Sequence, residues 1–434
     1  MKIASTGSER VRFVTMALLF FANTVVETSN EVVSTSGFIS NVGVANILWM
    51  KVADAAIIIF AAGAYALIVD RANRRKLAIA LFTGFGCCYA IIVLLFVLQV
   101  PAAISYTALN LINGQQDNLI PLVLGALAAD IFSVAESKRL FGLLGAATIA
   151  GELVGDGFAI GVARLFNGNN AGLLLANVGW LLAGAALLAL TVRRLEPGTR
   201  QASEEEPLWD VLRGGINFVR DVKLFRYLTL AVLLAGTGWS VVQYRLLSTL
   251  SEAFPETDDL QASYGIFKFA IPILLLLVQT VGLRWLMRWW GYKSIFLAMP
   301  GVLLLGLTLM LTWPGLLSVI IGAYLAKVTS QGIQEPAEQS FLGLVPDELR
   351  GRMGAFLHGV LYPFGELLGY VFVGVVLVLV SSAQTAWMIY GGIAWICLVL
   401  AVSSALRLRA TYDKEMLNWR WQRRRRQGIA GLGL

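Results

Sequence analysis

Apolar runs of about 20 residues, separated by short loops that carry lysine and arginine, dominate this chain of 434 residues. A run of that length is what an α-helix needs to cross the hydrocarbon core of a bilayer. Hydrophobic residues make up 57% of the chain and charged residues only 14%, which is too little charge to cover a soluble domain of this length. The sequence therefore predicts an all-α polytopic membrane protein.

About twelve spans can be placed along the chain. Their predicted bounds are 11–30, 45–69, 77–99, 118–135, 141–163, 171–192, 224–246, 264–286, 294–312, 315–331, 353–379 and 384–406. The predicted organisation is an N-terminal six-helix bundle at 1–192, a cytoplasmic linker at 193–223, a C-terminal six-helix bundle at 224–406 and a basic cytoplasmic tail at 407–434. The first span follows a basic start without a convincing cleavage site, so we expect it to be retained as a helix.

The lysines and arginines predict the orientation of these spans. With the N-terminus in the cytoplasm, the cytoplasmic side collects nearly all of the 34 basic residues. The five that remain are Lys51, Arg164, Arg245, Lys268 and Lys327. Such a bias follows the positive-inside rule and predicts a multi-pass protein of the cytoplasmic (inner) membrane with both termini cytoplasmic.

The net charge of +7 is explained by this topology, so no nucleic-acid partner is expected. The basic tail, with Trp419, Trp421 and the run Arg423 to Arg426, is expected to contact anionic lipid headgroups. Docking of a protein partner on the tail is the alternative. Because His358 is the only histidine and no phosphate-binding loop or Ser/His/Asp set is visible, we predict no enzymatic activity, no metal and no cofactor.

Four short motifs recur in the same order in the two halves. In the second span Met50-Lys51-Val52-Ala53 precedes a basic loop, as Phe267-Lys268-Phe269-Ala270 does in the eighth. The basic segment at 136–139 has a counterpart at 348–352. Inside the spans that follow, Gly151-Glu152-Leu153-Val154-Gly155 repeats as Gly365-Glu366-Leu367-Leu368-Gly369. This parallel repeat resembles the two halves of major-facilitator transporters.

The repeated motifs carry a cation on spans 2 and 8 and an acid on spans 5 and 11. Charged side chains at that depth are costly, so the predicted substrate-binding residues are Lys51, Lys268, Lys327, Glu152 and Glu366. Snorkelling or local ion pairs are the alternatives for the lysines. The glycines around each glutamate suit either close helix packing or the approach of a ligand.

Two pairs of acids lie within the predicted spans or at their ends. Glu152 and Asp156 are one helical turn apart in apolar surroundings, which favours retention of a proton and makes them candidates for proton coupling. A structural ion pair is the alternative. Glu27 and Glu31, near the outer end of the first span, are compatible with plain solvation.

Several stretches are similar to the ATP/ADP translocase family of plastids and intracellular bacteria. They are the segment from Asn23 to Glu31, Leu48-Trp49-Met50-Lys51, the segment Glu136-Ser137-Lys138-Arg139, and the segment from Pro346 to Arg352. The resemblance implies a major-facilitator-like fold, a transport role and a nucleotide substrate. Members that carry ATP have cations near Glu27 and Asn30 and a lysine at the position of Glu366, and these departures put the nucleotide in doubt.

The sequence therefore predicts a secondary transporter of a nucleotide or another anionic metabolite, working by alternating access through exchange or proton coupling. A small anionic substrate is the predicted partner. The alternative is a transporter-derived membrane subunit that no longer transports and acts in assembly or binding within a larger complex.

Overall fold

The structure is a computed structural model that describes residues 7–69, 73–166, 169–191, 223–279, 292–334 and 361–430. These residues form twelve α-helices. They are α1 Gly7–Val42, α2 Asn46–Val69, α3 Arg74–Val97, α4 Ala102–Ile131, α5 Val134–Leu165, α6 Asn170–Thr191, α7 Lys223–Ala253, α8 Thr257–Leu277, α9 Ala298–Thr312, α10 Leu316–Thr329, α11 Tyr362–Leu379 and α12 Ala383–Ala430. A 3₁₀ turn, Tyr292–Leu297, precedes α9, and a π-helical turn, Ser330–Gln334, follows α10.

The predicted fold class is confirmed: the described chain is all-helical and polytopic. By length and composition, nine of the described helices can cross a membrane, and α9 is a shorter apolar helix. The predicted linker at 193–223 lies almost wholly outside the described residues. The predicted tail is helical where it is described, because α12 continues without a break to Ala430.

Helix α4 begins at Ala102, well before its predicted span of 118–135. The sequence between 110 and 118 is rich in Asn, Gln and Asp, which lowers its apparent apolarity. In the structure Asn110, Asn113 and Gln116 are buried. Polar side chains in a membrane helix face other helices rather than lipid. Because they lower the hydropathy of the first half of α4, that half was not predicted as part of a span.

The chain divides into two compact units. The first unit contains residues 1–208 and 247–273, and the second contains residues 209–246 and 274–434. In the first unit α1 packs against α4, α5 and α6, while α3 packs between α4 and α6. In the second unit α9 packs against α10 and α12, and α11 packs against α12.

Glycines permit the closest helix contact in the first unit. A Cβ atom at Gly151 of α5 would lie 2.8 Å from the carbonyl oxygen of Phe21 on α1. A Cβ atom at Gly155 would lie 2.5 Å from the carbonyl oxygen of Val25 and would also overlap Thr28. Real Cβ atoms do not approach so closely, so the backbones of α1 and α5 meet at these glycines.

The second unit repeats this contact between α7 and α11. A Cβ atom at Gly365 would lie 3.0 Å from the carbonyl oxygen of Leu233, and one at Gly369 would lie 2.8 Å from that of Thr237. Ser240 of α7 also donates a hydrogen bond to the backbone oxygen of Glu366 (2.9 Å). The repeated glycines are therefore packing residues, and within each unit they place a glutamate beside the first helix of its half.

Ion pairs fasten α1 and α3 to their neighbours at the end of the first unit where α1 begins. Arg12 pairs with Glu136 at 3.0 Å, and Arg74 pairs with Asp130 at 2.9 Å. Glu136 also closes a capping box with Ser133, which starts α5. The backbone N–H and hydroxyl of Ser133, together with Arg12, hold the pKa of the Glu136 carboxyl below its usual value.

Candidate functional site

Lys268 of α8 lies in a charged cluster of the first unit. Its ammonium group pairs with one carboxylate oxygen of Glu31 on α1. Tyr264, one turn earlier on α8, donates its hydroxyl to the other oxygen of Glu31 at 3.2 Å. The Lys268 side chain is 13% exposed and that of Glu31 is 36% exposed, so this ion pair, which holds α8 to α1, is only partly desolvated.

Asp156 of α5 lies within electrostatic range of the same pair. It interacts with Lys268 and Glu31, and also with Glu152 one turn away on α5. Asp156 is 1% exposed, and its Oδ1 atom has no hydrogen-bond partner in the structure. A buried, unmatched carboxyl oxygen is costly, and this group is therefore a candidate for binding a proton or exchanging partners.

A second pair of acids joins α1 to α4. The carboxyl groups of Glu27 and Asp117 lie within electrostatic range of each other, and Asn23 donates a hydrogen bond to Glu27 at 3.5 Å. Glu27 is also within electrostatic range of Glu31 and Lys268. Repulsion between two carboxylates so placed favours a proton on one of them.

Lys51 belongs to a third group, on α2 and α4. Asp54 interacts electrostatically with Lys51 and Asp117, and it accepts a hydrogen bond from Gln115 at 3.0 Å. These three groups form a continuous series, which we call the charged chain. Its members are Lys51, Asp54, Asp117, Glu27, Glu31, Lys268, Asp156 and Glu152.

Uncharged polar side chains connect α1 and α4, which carry part of the charged chain, to α3 and α6. Gln116 of α4 accepts a hydrogen bond from Tyr89 of α3 at 2.5 Å and donates one to Asn23 of α1 at 3.0 Å. Asn177 of α6 donates to Asn30 of α1 at 2.8 Å. These side chains are buried, and their hydrogen bonds connect the four helices, although the Asn30 Nδ2 and Asn177 Oδ1 atoms have no partner among the described residues.

In the second unit, two basic side chains lie over the indole rings of tryptophans rather than beside carboxylates. The ammonium group of Lys327 on α10 lies 5.5 Å from the ring centroid of Trp239 on α7. The guanidinium of Arg245 lies 4.7 Å from the ring centroid of Trp387 on α12. Glu366, the fifth predicted binding residue, is partly buried on α11. The Lys327–Trp239 and Arg245–Trp387 pairs have the geometry of cation–π contacts.

Sequence comparison identifies the family. The model of the Major Facilitator Superfamily matches residues 13–358, which is more than half of the chain. The chain belongs to the Major Facilitator Superfamily. The narrower resemblance to ATP/ADP translocases has no support in these matches and stays a prediction. No curated protein sequence matches the chain.

Solved structures of major-facilitator transporters share the fold. A mutant form of the nucleoside transporter NupG is 15% identical with a TM-score of 0.62, covering 90% of this chain and 99% of that one. A mutant form of a POT peptide transporter, in complex with sulfate, is 11% identical with a TM-score of 0.67, covering 92% and 95%. A D-xylose-proton symporter is 17% identical with a TM-score of 0.57, covering 92% and 96%. Identities this low show the fold alone.

Within this major-facilitator fold, the predicted residues fall into two groups. Lys51, Lys268, Glu152 and Asp156 belong to the charged chain of the first unit. Lys327 and Glu366 lie in the second unit. Their roles in binding or coupling stay predictions.

Sequence reasoning gave no binding or coupling role to five residues that the structure places in or beside the charged chain. They are Glu27, Glu31, Asp54, Asp117 and Tyr264. The spacing of Tyr264 and Lys268 at i and i+4, which puts both on one face of α8, was the available signal. For Glu31 the signal was its placement one turn after Glu27 on a helix otherwise poor in charge.

Proposed function

We propose that the chain is a proton-coupled secondary transporter of a small polar solute, and that the charged chain of the first unit carries the proton. The apposition of the Glu27 and Asp117 carboxyl groups in the first unit carries this proposal, because repulsion between two carboxylates so placed favours a proton on one of them. Family membership supports transport by alternating access. A D-xylose-proton symporter with the same fold supports proton coupling as a mode that the fold accommodates.

The charge balance of the charged chain supports the same proposal. It contains six carboxyl groups and two lysines, so full ionisation would leave four uncompensated negative charges inside the membrane. Each uncompensated charge there costs about 2.5–3.5 kcal/mol on insertion scales. Proton binding removes that cost, and loss of a proton restores it. The charged chain is therefore suited to taking up and releasing protons during a transport cycle.

The predicted substrate, a nucleotide or another anionic metabolite, remains the proposed substrate class, with a site in the second unit. The Lys327–Trp239 contact supports it, because an ammonium beside an indole face offers attraction for an anion and a surface for a ring. Lys268 is less suited to this role, since Glu31 already pairs with its ammonium group. The nucleoside and peptide transporters that share the fold handle small polar solutes.

Reconstitution into liposomes that contain a pH-sensitive dye tests the proposal. Nucleotides, nucleosides, sugar phosphates and dipeptides are added outside, and both solute uptake and internal acidification are followed. At least one solute class should be taken up together with protons. Glu27→Gln should abolish the proton signal, because an amide cannot exchange a proton at this site.

The matched control is Asp259→Asn, which removes an exposed acid of the first unit outside the charged chain. It should transport as the parent does. Uptake of a solute without proton movement would overturn proton coupling. Absence of uptake for every class, in protein that melts cooperatively, would favour the non-transporting membrane subunit instead. Uptake of nucleosides but not of nucleotides would overturn the anionic substrate class.

A further inference from the structure

Helix α8 lies along α5 and α1 within the first unit. Near its start, Asp259 pairs with Arg164 of α5 at 2.8 Å, and Gln261 donates a hydrogen bond to the backbone oxygen of Ala159 at 3.0 Å. At Gly265 a Cβ atom would lie 2.7 Å from Ile160 of α5 and 3.5 Å from Val32 of α1. The helices are therefore in close contact from residue 259 of α8 to Lys268.

Lys268 ends this line of contacts and is the cation of α8. Its ammonium group is paired with Glu31 of α1, and Asp156 of α5 lies within electrostatic range of it. One cation thus faces a carboxylate from each of the two helices on which α8 lies. The Oδ1 atom of Asp156 is buried and has no hydrogen-bond partner in the structure, so Asp156 attracts Lys268 without being satisfied by it.

We propose that Asp156 is a positioning residue that acts through Lys268: when ionised it strengthens the hold of α8 on α1 and α5, and a proton on Asp156 weakens that hold. This inference rests on the proposed function, because the proton is the one that the transporter couples. We call the contact of Lys268 with Glu31 and Asp156 the α8 latch.

The charges around Asp156 set the direction of the effect. Glu152 faces it from its own helix, Glu31 from α1, and Lys268 and Tyr264 from α8. Helix α6, which also packs on α5, contains no titratable residue. Lys268 is therefore the only cation among these groups. An ionised Asp156 adds a second anion to its attraction, whereas a neutral Asp156 leaves Lys268 to Glu31 alone.

Repulsion between Asp156 and Glu31 adds to the effect of the proton. Two carboxylates at one ammonium are stable together only while the cation stays between them. Loss of Lys268 from the latch would leave both uncompensated, which favours proton uptake by one of them. Opening of the latch and protonation of Asp156 are thus linked in both directions, as binding equilibria at coupled sites must be.

Thiol labelling of Val32→Cys measures the state of the latch. Val32 is fully buried and faces Gly265 of α8, so a cysteine there reacts only when α8 leaves α1. The full chain is used with its three native cysteines replaced by alanine. Labelling with a membrane-permeant maleimide is compared between variants at the same pH, which cancels the pH dependence of the thiol itself.

At about pH 9, Asp156→Asn should label about ten-fold faster than the parent, which corresponds to about 1.4 kcal/mol of lost latch stability. At about pH 5 the two should label at similar rates, because burial of Asp156 favours its protonated form in the parent as the pH falls. Lys268→Met should label fast at both pH values. Asp156→Glu keeps a carboxyl group and should retain the pH dependence. It therefore still tests the proposal if the asparagine variant folds poorly.

The matched control is again Asp259→Asn, which removes the exposed ion pair between the same two helices, α5 and α8. It should label within about two-fold of the parent at both pH values, since exposed pairs contribute little. The proposal is overturned if Asp156→Asn labels as the parent does at about pH 9, or if its ratio to the parent is the same at both pH values.

The labelling experiment and the transport experiment can each contradict one proposal without contradicting the other. Proton-coupled uptake together with labelling that ignores Asp156 would leave the proposed function intact and remove the latch. Labelling that responds to Asp156 as expected, in a protein that moves no proton with any solute, would keep the latch and remove the proposed function.

Discussion

The two compact units share the same glycine contact between two helices. The side chain near that contact is acidic in the first unit and aromatic in the second. Thr24 of α1 and Gly236 of α7 occupy equivalent positions at the glycines of α5 and α11, 212 residues apart. The same offset pairs Glu27 in the first unit with Trp239 in the second. Glu27 lies within electrostatic range of an acid on α4, whereas Trp239 lies beside a lysine on α10.

The repeat therefore retains the contact between the helices, while the residues at neighbouring positions differ between the two units. A glycine contact is insensitive to the charge of side chains that point away from it. Among the described residues of the second unit up to Thr411, Glu366 is the only acid, while the first unit concentrates carboxyl groups. We interpret the first unit as the proton-handling half and the second as the half suited to an anion.

Replacement of one lysine in each unit gives the largest expected difference. Lys268→Met would leave Glu31 and Asp156 without their cation, and we expect a cost of about 2–3 kcal/mol, below that of a fully buried pair because Glu31 is 36% exposed. Lys327→Met loses a cation–π contact, which is worth about 1 kcal/mol. Melting temperatures in one detergent at neutral pH should therefore fall much further for Lys268→Met.

The double variant Glu31→Gln, Lys268→Met is the control for this prediction. It should recover part of the stability, because the unmatched carboxylate is removed with its cation. Equal losses for the two single variants would contradict the comparison between the units, since they would show that Lys327 is held by charge as strongly as Lys268.

The fold followed from the sequence because apolar length, basic loops and a repeated motif are local features. The helices needed no long-range information beyond the repeat itself, whereas the sequence left open whether Gly151 and Gly365 serve helix packing or the approach of a ligand. The first half of α4 was missed because its polar residues face protein rather than lipid. Hydropathy records composition and does not record the direction in which a side chain points.

The candidate site was less accessible to sequence reasoning. Lys268 was identified through the repeat, but its partner Glu31 is 237 residues away, and a single sequence contains no signal for such a pairing. The charged chain depends on five helices meeting, and each contributes only one or two of its residues. Local spacing found Glu152 and Asp156 because they share one helix.

Alanine at the repeated glycines tests whether the two units share their packing. Gly155→Ala and Gly369→Ala each force a methyl group against backbone carbonyl oxygens of the neighbouring helix. Overpacking of this kind costs about 1–3 kcal/mol, so both variants should melt earlier by similar amounts. Measurement of thermal unfolding in detergent checks the result.

Gly161 provides the matched control on α5, since a Cβ atom there has nothing within 4 Å. Gly161→Ala should leave stability unchanged or raise it by up to about 1 kcal/mol, because alanine favours a helix more than glycine does. A loss confined to Gly155→Ala would show that the α7–α11 contact is looser than its counterpart and would break the structural half of the comparison.

The smallest expected effect concerns Glu136, which caps α5 and pairs with Arg12. Its carboxyl has a lower pKa in the folded protein than in the unfolded chain, chiefly because the backbone N–H of Ser133 donates to it. The sign follows directly: Glu136 stabilises the fold above the unfolded value of about 4.3, and this contribution disappears as the pH falls through the folded value. Glu136→Gln should therefore lower the melting temperature slightly at neutral pH and leave it unchanged in acid.

The same substitution at Glu348 extends this test to the other half. Glu348 is the counterpart of Glu136 in the sequence repeat, and it lies outside the described residues. If the repeat includes the start of the helix as well as its glycines, Glu348→Gln should reproduce the small loss at neutral pH and its disappearance in acid. A melting temperature that is the same as the parent's at neutral pH would confine the repeat to the membrane interior, where close packing of the helices requires it and capping does not.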